Sequence, residues 1–216
     1  KAKNLKNENP EDFDDAFYKN LEFGTGGMRG VMGVGPNRVN KYTFGKTTQG
    51  ICNFLKSINK NGEISIVIGY DCRNNGKELQ EIVCDIFSAN GIRVYKFDSL
   101  RPTPLISFAV RQLNCNCGIV LTASHNPPEY NGYKVYWEDG GQIVPPIDNK
   151  LMTEIDKIKY IDINFKRDSK LVELLDEKID KNYINKSISY TQSIVSKNDL
   201  KNLNIVFTSL HGTSYK

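Results

Sequence analysis

Residues 64–97 read ISIVIGYDCRNNGKELQEIVCDIFSANGIRVYKF. The run 64–69 is short, apolar and rich in β-branched residues, as expected of a buried strand. Tyr70-Asp71-Cys72-Arg73-Asn74-Asn75-Gly76 interrupts it with polar and turn-forming residues. Leu79, Ile82, Val83, Ile86 and Phe87 then recur at three- and four-residue spacing, which predicts an amphipathic helix. Asn90-Gly91 stops that helix, and 92–97 reads as the next strand. Strand, helix and strand in this order make a βαβ unit, whose strands pair in parallel through a right-handed crossover.

The same alternation continues outward. Residues 42–59 read as a helix, with Ile51, Phe54, Leu55 and Ile58 on one face, and 11–20 as a shorter one carrying Phe13 and Phe17. Pro102-Thr103-Pro104 opens a helix bearing Leu105, Phe108, Ala109 and Leu113. Strands are expected at 118–121 and 133–137, and a helix across 148–159 after Pro145 and Pro146. The fold class is therefore α/β, with a mixed, mainly parallel sheet and helices on both faces. Ligands of such sheets sit beyond the carboxyl ends of the strands. Both the Asp71–Arg73 loop and the Thr122–Pro127 loop lie there. The pattern restarts after about residue 187, and 204–208 (NIVFT) reads as the first strand of a second α/β domain. The expected division is 1–187 and 188–216, with the second domain cut short.

Composition is that of a globular protein: 39% hydrophobic and 25% charged residues, with a net charge of +4. That excess is too small to argue for nucleic acid and suits small anions. No run approaches the roughly 20 apolar residues of a membrane span, and the first residues lack the apolar core of a secretion signal. The chain opens on Lys1 rather than Met, so residues are expected to precede it. Five cysteines without a compact framework fit a reducing cytoplasm. Cys115-Asn-Cys117 lacks metal spacing and reads as strand packing.

Three polar segments call for an explanation beyond turns. Six glycines fall between Gly24 and Gly35, a density that lets the backbone take forbidden conformations or lets another group approach. Thr122-Ala-Ser-His-Asn-Pro127 follows a buried strand and leads through Asn131-Gly132 to Lys134. Ser124 could be an acyl-transfer nucleophile, a phosphate carrier or a turn former. No G-x-S-x-G elbow is present, and neighbouring side chains in extended backbone point apart, so His125 is poorly placed as a base for Ser124. A phosphate carrier fits better, because a phosphoserine needs cations and N–H donors. Lys134, Arg29, Arg73 and the glycine-rich backbone could supply them. Taken singly, each is more often a turn former or a solvated charge; together at strand ends they favour an anion site. His211 also follows an expected strand, with no partner evident.

The segments FGTGGMRG (23–30), GYDCR (69–73), TASHNP (122–127), NGYK (131–134) and LHGT (210–213), in this order, resemble the α-D-phosphohexomutase superfamily, most closely its phosphoglucomutase branch. The resemblance covers nearly the whole chain. It implies four domains around a central cleft, with the catalytic phosphoserine at Ser124 in the first. That serine gives its phosphoryl group to a sugar monophosphate, and the bisphosphate reorients and returns its other phosphate. Implied roles are catalytic for Ser124, His125 and Lys134. Arg29, Thr25, Asn126 and Arg73 are implied to bind phosphate, although a structural ion pair is an open alternative for Arg73. Mg²⁺ would bind the Ser124 phosphate, and glucose 1,6-bisphosphate would be the intermediate. The implied partners are a sugar phosphate, with no nucleic acid and no membrane, and domains II–IV of the same chain. The family's acidic metal loop, DGDxDR, is absent from these residues, so the chain alone is expected not to turn over. The alternatives are a non-catalytic sugar-phosphate-binding domain, or a mutase of mannose or pentose phosphates. A serine hydrolase is a distant third.

Overall fold

The computed structural model describes residues 2–24, 26–60, 62–191 and 204–214. Six strands form one sheet: β1 (Gly27–Val31), β2 (Ser65–Tyr70), β3 (Arg93–Lys96), β4 (Cys117–Leu121), β5 (Tyr130–Trp137) and β6 (Val172–Leu174), in the order β1-β5-β4-β2-β3-β6. β4, β2, β3 and β6 run parallel, whereas β5 is antiparallel to both β4 and β1. This is the mixed, mainly parallel sheet expected from the sequence.

Alternate residues of each strand feed two cores, because successive side chains leave opposite faces. Ile66 and Ile68 of β2 and Ile119 and Leu121 of β4 join the larger core, whereas Val67 and Val120 join the smaller one. Helices α3 (Lys41–Ile58), α4 (Gly76–Ala89) and α6 (Ile147–Lys157) contribute to the larger core. Helices α5 (Thr103–Gln112) and α7 (Glu177–Thr191) contribute to the smaller. The long helix α3 starts where Asn40 accepts from the N–H groups of Tyr42 and Thr43 while Thr43 accepts from that of Asn40, a reciprocal cap. Two short helices, α1 (Ala2–Glu8) and α2 (Pro10–Phe17), precede the sheet.

Three departures from the sequence reading have physical causes. Gly27–Val31, to which the sequence pattern assigns no element, is a strand, because β5 offers it a complete antiparallel ladder. Helix α7 continues through residue 187, pinned by a two-pronged ion pair from Arg101 to Asp180. Residues 204–209 carry no strand and are largely exposed. No pairing partner meets them among the described residues, and an unpaired strand is unstable in water.

Cys52, Cys84, Cys115 and Cys117 are buried and Cys72 is exposed. Burial pushes the Cys84 thiol up to about 12 and that of Cys115 up to about 11, and it raises Cys52 and Cys117 strongly. At pH 8 a thiol reagent is therefore expected to modify the folded chain at Cys72 alone, with the other four reacting only on unfolding. Peptide mass spectrometry checks this, and a second labelled cysteine in the folded state would contradict it.

Candidate functional site

β4 is buried along its whole length, and its burial continues through Thr122 and Ala123 before the chain emerges at Ser124 and His125. The loop 122–129 thus has a rigid root and an exposed tip. At the root, the Thr122 N–H donates to the Gly132 carbonyl at 3.0 Å. The Thr122 hydroxyl donates to Asp71 Oδ2 and accepts the Ser124 N–H at 2.8 Å. Asn131 is fully buried. Its amide donates to the Asn74 carbonyl at 3.0 Å and its oxygen accepts from the Gly132 N–H at 2.7 Å. The loops after β2 and β4 are in this way fastened to each other and to β5.

Ser124 has φ +56°, in the left-handed region. This conformation costs a residue with a side chain about 1–2 kcal/mol, and surrounding bonds must hold it. It also changes the relation of Ser124 to His125. The separation expected from extended backbone does not apply, and Ser124 Oγ lies 3.3 Å from His125 Nδ1.

Arg29 projects from β1 and donates to Asn126 Oδ1 at 2.8 Å. In the β1–β5 ladder Arg29 faces Gly132 and Gly27 faces Lys134. Directly opposed residues of an antiparallel pair share a face, so Arg29 and Lys134 stand as diagonal neighbours on one side of the sheet. Lys134 is half-buried, and among the described residues no hydrogen bond or ion pair engages its side chain. Gly27 allows this packing: its φ is +145°, and a Cβ there would lie 2.0 Å from the Tyr133 carbonyl oxygen.

Arg73 departs from the expected phosphate contact. Its side chain is 7% exposed, and its terminal nitrogens donate to carbonyls of the serine loop. The alternative of an ion pair is weak, since Arg73 Nε lies 3.9 Å from Asp71 Oδ2. Thr25 lies outside the described residues. His211 is exposed, and its carbonyl accepts the Cys72 thiol at 3.0 Å. Ser124, His125, Asn126 and Arg29 are therefore together, with Lys134 on the Arg29 face and Arg73 underneath. The sequence reading missed Thr122, Asp71 and Asn131, although all three lie inside the segments it quoted.

A three-layer α/β/α domain that presents a serine on a fastened loop beyond the carboxyl ends of its parallel strands defines the class. The family model for phosphoglucomutase/phosphomannomutase, alpha/beta/alpha domain I, matches residues 20–162, and the chain belongs to that family. It is 40% identical over 205 residues to a phosphoglucomutase of Staphylococcus haemolyticus, covering 93% of this chain and 36% of that protein. A phosphoglucomutase of Staphylococcus epidermidis is 37% identical over 213 residues, covering 96% and 38%. The chain thus spans little more than a third of the curated relatives it matches. Among solved structures, a Thermus thermophilus protein assigned as a phosphomannomutase aligns with a TM-score of 0.69 and 26% identity, covering 80% of this chain and 36% of that one. The open form of the Paramecium phosphoprotein parafusin, a phosphoglucomutase, aligns with a TM-score of 0.65 and 21% identity over 90% and 40%, a likeness of fold.

Proposed function

We propose that this chain is the serine-bearing first domain of a phosphosugar mutase, with Ser124 as the phosphoryl carrier. The observation that carries the reading is an exposed serine held at φ +56° on a fastened loop, with Arg29 bonded to that loop. Lys134, free of a counterion among the described residues, shares the Arg29 face. Phosphoryl transfer depends on positioning and on charge stabilisation, and these groups supply both. In the proposed cycle the P–O bond to Ser124 Oγ breaks as a P–O bond to a sugar hydroxyl forms, and the hydroxyl gives up its proton. The bisphosphate turns over, and its other phosphate returns to Ser124. His125, within reach of Oγ, and Lys134 are the groups placed to move the proton or contact the phosphate. Arg29 and Asn126 bind phosphate, and Thr25 is proposed to join them.

Glucose 1-phosphate and glucose 6-phosphate are the proposed substrates, by way of glucose 1,6-bisphosphate. The phosphoglucomutase names of the staphylococcal relatives support this choice. Mg²⁺ is the proposed metal, with an oxygen of the Ser124 phosphate as one ligand. The described residues do not hold it alone, for they contain no group of three or more His, Cys, Asp or Glu side chains suited to a metal. Mg²⁺ prefers several oxygen ligands and keeps some water, so the others would come from outside the described residues. Domains II–IV of a longer chain are the proposed partners, beginning beyond the end of α7 at Thr191. A cytoplasmic location is proposed, supported by five cysteines with free thiols.

In the full-length protein Lys134→Met is expected to lower kcat by about 10²-fold, the scale of a lost acid–base or charge-stabilising group. The circular dichroism spectrum should be unchanged. Loss of the folded spectrum would instead make Lys134 structural.

A further inference from the structure

All four carbonyls that Arg73 holds belong to the serine loop and the start of β5. Its Nη1 donates to Pro127 at 2.9 Å and Tyr130 at 3.0 Å, and its Nη2 donates to Ser124 at 2.6 Å and also to Asn126. Nε is buried without a hydrogen bond. Loop dipoles rather than a tight carboxylate pair therefore balance most of this cation. A planar guanidinium can serve four acceptors at fixed angles, whereas a lysine ammonium has three donors on one atom.

The consequence for Ser124 is stereochemical. The described cis peptide bonds lie elsewhere, so the Ser124–His125 bond is trans. In a trans peptide the C=O and N–H point in opposite directions. Because the Ser124 carbonyl is turned towards Arg73, the His125 N–H is turned away from it. No described hydrogen bond engages that N–H. An unengaged backbone donor next to a phosphoryl-carrying hydroxyl is the kind of group that stabilises charge in transfer.

We propose that Arg73 is a positioning residue. Its grip on four carbonyls holds Ser124 in the left-handed conformation and turns the His125 backbone N–H outward as a donor to the phosphoryl group. This rests on the mutase reading above. Arg73 does not touch the phosphate in this account, and its effect travels through the loop.

The test uses the full-length protein, with Arg73→Lys and Arg73→Gln. Both variants are expected to keep a cooperative unfolding transition and to lose about 10²-fold in kcat, the cost of a displacement of about 1 Å at a reacting group. KM for the sugar phosphate should change less than about 3-fold, as expected when only transition-state stabilisation is lost. A rise in KM with kcat retained would make Arg73 a direct substrate contact and overturn the proposal. Unchanged kinetics would overturn it too, as would loss of folding in both variants, which would make Arg73 a fold-bearing residue. A second readout does not depend on turnover. With ¹⁵N-labelled histidine, the His125 amide resonance should shift on titration with inorganic phosphate in the wild type, and at least several-fold less in Arg73→Lys. Equal shifts, or none in the wild type, would overturn the proposal. Failure of the mutase reading itself would appear differently, as wild-type protein without turnover, and the amide titration would then decide alone.

Discussion

Replacing Ser124 by alanine in the full-length protein is expected to reduce mutase turnover at least about 10⁴-fold, because it removes the hydroxyl that carries the phosphoryl group. Stability should move by less than about 1 kcal/mol. The hydroxyl makes one described contact, to His125 at 3.3 Å, and the side chain is exposed. The bond from the Ser124 N–H to Thr122 survives the change, since it uses backbone. Initial-rate assays beside thermal unfolding separate the two effects. Near-normal turnover in a folded variant would remove Ser124 from its proposed role.

Gly132→Ala is expected to have the largest effect on the fold near the site. Gly132 sits in β5 between two neighbours, with Arg29 opposite it in β1 and the Thr122 N–H bonded to its carbonyl. A Cβ there would lie 2.5 Å from the Thr122 carbonyl oxygen and 2.7 Å from that of Met28. Both obstacles are backbone, on different strands or strand ends, so neither can swing aside as a side chain would. Either β1 separates from β5 or the root of the serine loop moves. The cost should be at the upper end of overpacking, about 3 kcal/mol. For a unit of about 200 residues this corresponds to a fall of roughly 6–12 °C in Tm. Thermal unfolding followed by circular dichroism measures it. A change under about 1 kcal/mol would mean that the close approach of the three strands is not as described.

Much of the fold was legible because its central strands are apolar runs separated by strongly periodic helices. β2, β4 and α4 are found within one to three residues of where the pattern places them. Elements whose existence depends on a distant partner were not legible. β1 consists of Gly27, Met28, Arg29, Gly30 and Val31, a composition that reads as loop until β5 pairs with it. β6 has three residues, and α7 buries only Ile179, so neither has the apolar periodicity that announces an element. In the site, the residue types pointed to Ser124 and Arg29, the family resemblance added Asn126, and the structure places the three together. Roles that depend on backbone angles were hidden. The φ of Ser124 decides its distance to His125. The four acceptors of Arg73 lie 51 to 57 positions away, where no local pattern could connect them.

The central claim is that Ser124 carries a phosphoryl group. Its most direct test is to incubate the full-length protein with glucose 1,6-bisphosphate and Mg²⁺ and to map phosphate by tandem mass spectrometry. The account predicts phosphate on Ser124 that disappears when glucose 1-phosphate or glucose 6-phosphate is added. A folded protein that never carries phosphate on Ser124 would contradict it.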